Sequence, residues 1–127
     1  MGPLSVPSVI SCLKTLVVIL LLDTVFFVGM KRYFEDQIIA VQKTMFTVKY
    51  EGVLFTYFMM AMGIQTMIID QQWTPWEAAW WGLVVYGIYE GTNYSIFKNW
   101  KWSTVCMDTL WGAVLVGTTV YVRKEWV

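Results

Sequence analysis

The 127-residue sequence has no histidine, two cysteines and three prolines, and only 14% of its residues are charged. The lack of histidine excludes His-ligated haem, His-ligated zinc and an imidazole general base. Cys12 and Cys106 show no metal-ligand spacing and read as packing residues. Lys+Arg and Asp+Glu number nine each, so no basic excess marks the chain for nucleic acid. No segment alternates with period two, which argues against a β-barrel, and no internal repeat or low-complexity tract stands out. An ordinary soluble domain carries about 25% charged residues. Here that deficit accompanies 57% hydrophobic residues and a mean hydropathy of +0.55. Together they indicate a membrane protein of one domain, residues 1–127.

Met1 to Ser11, with Pro3 and Pro7, reads as an extended cap. Gly2 does not open a myristoylation motif, because Pro3 follows it and position 6 is Val. The first apolar run, about 9–30, has Lys14 near its start. It also holds Asp23 and lacks an Ala-x-Ala-like exit, so it reads as a retained span rather than a signal peptide. From Lys31 to Thr47 charged residues interleave with Phe34, Ile38, Val41 and Met45. That spacing predicts an amphipathic helix, lying along the interface or extending the first span. A second span covers about 49–69. Its methionines (Met59, Met60, Met62, Met67) have no Cys or His beside them and read as flexible packing rather than a copper site. Thr74-Pro75-Trp76-Glu77 is a helix start, with Thr74 as N-cap, Pro75 at the first position and Glu77 closing a capping box. It opens a third span, about 75–97. Lys98 to Trp102 forms a tight turn, and Ser103 is placed to cap a fourth span, about 103–122. The expected fold is therefore all-α, an integral membrane four-helix transmembrane bundle.

The connections at 31–49 and 98–101 hold six of the basic residues: Lys31, Arg32, Lys43, Lys49, Lys98 and Lys101. By the positive-inside rule they face the cytoplasm or its equivalent, with both termini opposite. Trp73, Trp76 and Trp126 mark one boundary, and Trp100 and Trp102 the other. Asn93-Tyr94-Ser95 matches a glycosylation sequon but falls within the third span, so it is discounted.

Asp23, Glu90 and Asp108 lie inside spans. At about 1.5 Å per residue, Asp23 is roughly 12 Å from Lys31, Glu90 roughly 12 Å from Lys98 and Asp108 roughly 9 Å beyond Trp102. Because the spans alternate in direction, all three reach a similar depth on the basic-loop side. Each charge there costs on the order of 2.5–3.5 kcal/mol. With no Lys or Arg at that depth, at least one carboxyl is expected to be neutral. Tyr86 and Asn93 share a helix face with Glu90, and Trp111 and Gly112 share one with Asp108, so these neighbours are the expected hydrogen-bonding partners. The candidate polar layer is Asp23, Glu90, Asn93, Asp108, Tyr86 and Trp111.

Tyr89, Glu90, Thr92 and Asn93, then Lys98-Asn99-Trp100, then Met107, Asp108, Trp111 and Gly112 form an ordered set of tracts, with Leu22-Asp23 in the first span. In these tracts the chain resembles a family of small four-span membrane proteins of unknown function found in bacteria and large DNA viruses. It departs from that pattern at Glu90 (Asp is usual), Gly91 (a larger apolar residue) and Met107 (Val). The resemblance implies the four-span fold and picks out the same polar residues, and it brings no activity.

Three functions follow as expectations. The leading one is a non-enzymatic subunit of a larger membrane assembly or homo-oligomer, with small residues (Ala79, Gly82, Gly87 and Gly91; Gly112, Ala113 and Gly117) allowing close helix contact. Its partners would be the lipid bilayer and other membrane subunits or further copies of the chain, with no nucleic acid and no cofactor. The alternative is a proton- or cation-coupled channel or transporter using Asp23, Glu90 and Asp108. The third is a lipid-modifying enzyme with the same acids as acid/base groups.

Overall fold

The computed structural model of the chain describes residues 6–126. The Gly2 motif, Pro3 and the start of the expected N-terminal cap lie outside the described residues. Among the described residues the secondary structure is helical throughout. It comprises α1 (Val9–Gly29), α2 (Lys31–Gln42), α3 (Tyr50–Gly63) running on as a π-helical segment (Ile64–Ile69), α4 (Pro75–Ile96) and α5 (Trp102–Glu125). Three stretches are long and apolar enough to cross a membrane: Val9–Gly29, Tyr50–Ile69 and Trp102–Glu125.

Local chemistry explains most of the boundaries. The Ser8 side chain accepts the Ser11 N–H at 3.4 Å, so α1 starts at Val9 and the extended cap stops short of Ser11. The backbone breaks at Met30 (φ −111°, ψ 16°), which makes α2 a separate helix rather than an extension of α1. Lys43 adopts a left-handed conformation (φ 67°) and its N–H closes on the Ile39 carbonyl at 2.8 Å, so α2 ends well before the expected Thr47. The capping box of α4 forms as read: the Glu77 N–H donates to Thr74 Oγ1 at 3.2 Å and the Thr74 N–H to Glu77 Oε1 at 3.0 Å. Ser103 does not cap α5. That helix starts at Trp102, and the Ser103 hydroxyl is bonded to Tyr33 instead.

α5 is the central helix. α4 lies antiparallel along it, α1 packs on its other side, and α3 packs on α1 and reaches α5 through its π-helical end. Small residues set the α4–α5 seam. A Cβ on Gly82 would collide with the Gly112 carbonyl and meet Val116 Cγ2 at 2.8 Å, and one on Gly112 would lie 2.6 Å from the Gly82 oxygen. Gly117 faces Ala79 and the Pro75 carbonyl in the same way, and Gly87 faces Thr109. Five of the small residues expected to mediate helix contact are thus used between α4 and α5 of one chain.

The buried apolar core (Ile19, Ala61, Ile64, Ile68, Ala78, Leu115, Val116 and Val120) fills the half of the bundle nearer the α3–α4 turn. The half nearer the 98–101 turn is closed by other means, and the candidate site lies there.

Gly82→Ala should lower the free energy of unfolding by about 1–3 kcal/mol, because the added methyl meets backbone that cannot move aside. Gly91→Ala, where a Cβ meets nothing within 4 Å, should leave it unchanged or raise it by up to about 1 kcal/mol, since alanine is the better helix former. Unfolding in mixed micelles with a denaturing detergent measures both, and equal effects would contradict the seam.

Candidate functional site

Asp23 stands one helical turn after the core residue Ile19 on α1 and is 5% exposed. Two donors from two other helices meet its carboxylate. The Tyr57 hydroxyl of α3 donates to Oδ2, and the Trp111 indole N–H of α5 donates to Oδ1 at 2.8 Å. The Trp111 ring is itself fixed by stacking on Phe26 of α1, with centroids 4.4 Å apart and planes 4° from parallel. A carboxylate at this depth needs such donors, since its desolvation is otherwise uncompensated. Bonds to an ionised acceptor are also the stronger kind.

Glu90 of α4 is 1% exposed. Its Oε1 accepts the Trp100 indole N–H at 2.9 Å, from the turn that leads into α5. Asp108 of α5 is half-buried, and its carboxyl lies close to that of Glu90. Asp108 also lies within the electrostatic field of Asp23, and Tyr57 and Tyr86 lie within the fields of both. The three acids, carried by α1, α4 and α5, therefore occupy one layer.

The partners within this layer differ from those expected along each helix. Tyr86 turns its hydroxyl to Met60 Sδ at 3.9 Å, not to Glu90. Trp111 bonds Asp23, not Asp108. Asn93 is 5% exposed, and its Nδ2 is buried without an acceptor. Residues on one face of a helix project side by side, so the donors that reach a carboxyl head-on come from the helix opposite. Tyr57 and Trp100 thus went unread as donors, although each is an aromatic with a polar tip at the depth of an acid.

Two further polar clusters carried no sequence signal as sites. Gln37, 1% exposed, fastens α2 to the turn before α5. Its Nε2 donates to the Asn99 carbonyl at 3.0 Å, and its Oε1 accepts from the Lys101 N–H at 3.0 Å and the Thr104 hydroxyl at 2.5 Å. Tyr33 adds hydrogen bonds with Ser103 at 2.5 Å and Thr104 at 3.0 Å. The available hint was a glutamine flanked by Phe34, Ile38 and Val41 on the apolar side of α2. At the other end of the bundle the π-helical segment buries Gln65. Gln65 accepts from Thr15 at 2.7 Å and donates to Asp70 at 2.8 Å, while Arg123 Nε donates to Thr15 at 3.1 Å and its Nη1 to the Trp126 carbonyl.

Cys12 and Cys106 are unpaired. Among the described residues no three His, Cys, Asp or Glu side chains converge to hold a metal ion. The arrangement can fix helices against one another through buried hydrogen bonds, and it brings the carboxyls of Glu90 and Asp108 close together.

A family model described as "Predicted membrane protein (DUF2177)" matches residues 8–123. No curated protein and no solved structure matches the chain.

Trp111→Phe keeps the ring that stacks on Phe26 but removes the N–H to Asp23, and should cost about 1.5–3 kcal/mol of stability. Asp23→Ala, which strands both donors, should cost more than either Trp111→Phe or Tyr57→Phe alone. Detergent unfolding titrations measure the order of these effects; an Asp23→Ala protein as stable as wild type would show that the clamp holds nothing.

Proposed function

The chain belongs to the DUF2177 family of predicted membrane proteins, and from that premise we propose that it is a four-span, non-enzymatic membrane subunit whose carboxylate layer fastens its helices for assembly. The observation that carries this reading is the use made of the acids. Asp23 and Glu90 each accept a hydrogen bond from another element, Asp108 lies beside Glu90, and Asp23 alone joins three helices. Such interhelical bonds act as glue in membrane bundles.

The fourth span in this reading is α4. Its tryptophans and tyrosines lower its apolarity on a hydropathy scale, but its 22 residues extend about 33 Å, enough for a bilayer core of about 30 Å. It also follows α5 from the Pro75–Gly117 contact to the Tyr94–Trp102 ring contact at 5.2 Å, so whatever α5 crosses, α4 crosses beside it. Four spans place both termini on one side, with the 31–49 and 98–101 connections on the other, the cytoplasmic equivalent.

Assembly is supported by what the bundle leaves uncovered. Leu21, Val25 and Val28 on α1, Leu54 and Phe55 on α3, and Trp80 and Ile88 on α4 are all exposed. Between α1 and α3 an apolar groove of about 400 Å³, lined by residues such as Leu16, Leu20 and Phe58, opens outward. A second reading, a proton- or cation-coupled transporter, is favoured by the closeness of the Glu90 and Asp108 carboxyls.

Glu90→Gln separates the two. The amide still accepts from Trp100 and can donate to Asp108, so the fastening reading expects the oligomeric mass in native mass spectrometry to be retained. Glu90→Leu and Asp108→Leu should lose it. A pH- or cation-driven flux in liposomes that Glu90→Gln abolishes would favour the transporter, and a monomer for the wild-type chain would overturn the assembly role.

A further inference from the structure

Between α2 and the C-terminal end of α4 lies a second groove, of about 490 Å³. Its apolar walls include Ile38 and Val41 on one side and Tyr89, Phe97 and Trp100 on the other. Asn93 also lines it, with the Nδ2 donor that lacks an acceptor. An unmatched buried donor is costly, and few buried amides are left so. The adjacent Glu90 accepts from Trp100 through Oε1. The groove thus combines an apolar channel with a wall residue, Asn93, whose buried amide donor has no acceptor among the described residues.

Its surroundings define the acceptor. Lys43 terminates α2, and Lys98 and Lys101 stand in the turn after α4, all three exposed. Of the two acids on α2, Glu35 faces Lys31 at 3.8 Å and Asp36 is exposed, against the three lysines. Asn93 lies five residues before Lys98, roughly 7.5 Å deeper along the helix. A ligand filling the groove would be apolar over most of its length, carry a neutral acceptor at the depth of Asn93 and present negative charge a short distance above it. A diacyl phospholipid has that order: acyl chain, ester carbonyl, then phosphate one glycerol unit away. Basic clusters at membrane surfaces attract anionic headgroups.

We propose that this groove binds one acyl chain of an anionic diacyl phospholipid, with an ester carbonyl accepting from Asn93 Nδ2 and the phosphate facing Lys43, Lys98 and Lys101. Bound there, the lipid becomes part of the packing between α2 and α4, and Gln37 holds the α2 wall in place.

The test is native mass spectrometry of the full-length protein in detergent, titrated with three lipids of matched chain length: diester phosphatidylglycerol, its dialkyl ether analogue, and diester phosphatidylcholine. Retention of one phosphatidylglycerol per chain is expected, with the ether analogue and phosphatidylcholine each at least fivefold weaker. Asn93→Leu should weaken phosphatidylglycerol about tenfold while leaving the melting temperature of the delipidated protein unchanged or higher, since it removes the unmatched donor. Val41→Trp, which fills the groove, should abolish retention. Equal binding of ester and ether lipids overturns the Asn93 contact, and does so on the wild-type protein even where a variant fails to fold. Wild-type retention by both variants, or a protein dimer that forms only when lipid is absent and excludes it, overturns the lipid assignment.

Discussion

The carboxylate of Asp23 is the constraint on which the rest of the bundle depends. It draws the Tyr57 hydroxyl and the Trp111 indole to one point and thereby fixes α1, α3 and α5 at the edge of the apolar core, against which both rings pack. In lipid, helices gain little from burying apolar side chains against one another, because the tails are equally apolar. An acid that must be hydrogen-bonded supplies the directionality that Leu and Val cannot. The stacked Phe26–Trp111 pair makes the acceptor geometry hard to alter without moving a helix.

The two ends of the bundle are then fastened by different chemistry. Towards the 98–101 turn, Gln37, Tyr33 and Trp100 tie α2 and the turn to the carboxylate layer. Towards the α3–α4 turn, Arg123, Thr15 and Gln65 form a chain of side-chain bonds, and the π-helical segment is what turns Gln65 inward beside Ile64 and Ile68. π-Helical turns interrupt helices most often where a side chain must be redirected. Between these ends, Gly82 and Gly112 bring α4 and α5 into backbone contact. Helix packing is accordingly closest along the α4–α5 seam.

The helices are legible in the sequence because they rest on one-dimensional signals. Apolar run length and the Thr74-Pro75 start need no knowledge of packing. The identity of the partners was not legible. Tyr57 and Trp111 lie 34 and 88 residues from Asp23, and nothing along a helix announces which opposing face will supply a donor. Gln37 looked like one polar residue among the many on an amphipathic helix until its three partners in the 99–104 segment were in view. α2 stopped early because Lys43 turned left-handed, a conformation that lysine does not advertise. Gly82, Gly87, Gly112, Gly117 and Ala79 make the close helix contact that their size allows, within one chain at the α4–α5 crossing, whereas a Cβ at Gly91 would meet nothing within 4 Å.

The central claim is that the acids are dry, engaged fasteners, and exchange of the tryptophan indole protons tests it most directly. In nitrogen-15-labelled protein in bilayers placed in deuterated buffer, the Nε1 protons of Trp100 and Trp111 should persist at least a hundredfold longer than that of Trp76, which is 81% exposed at the start of α4. If all three exchange at the same rate, water reaches the carboxylate layer and the fastening account is wrong.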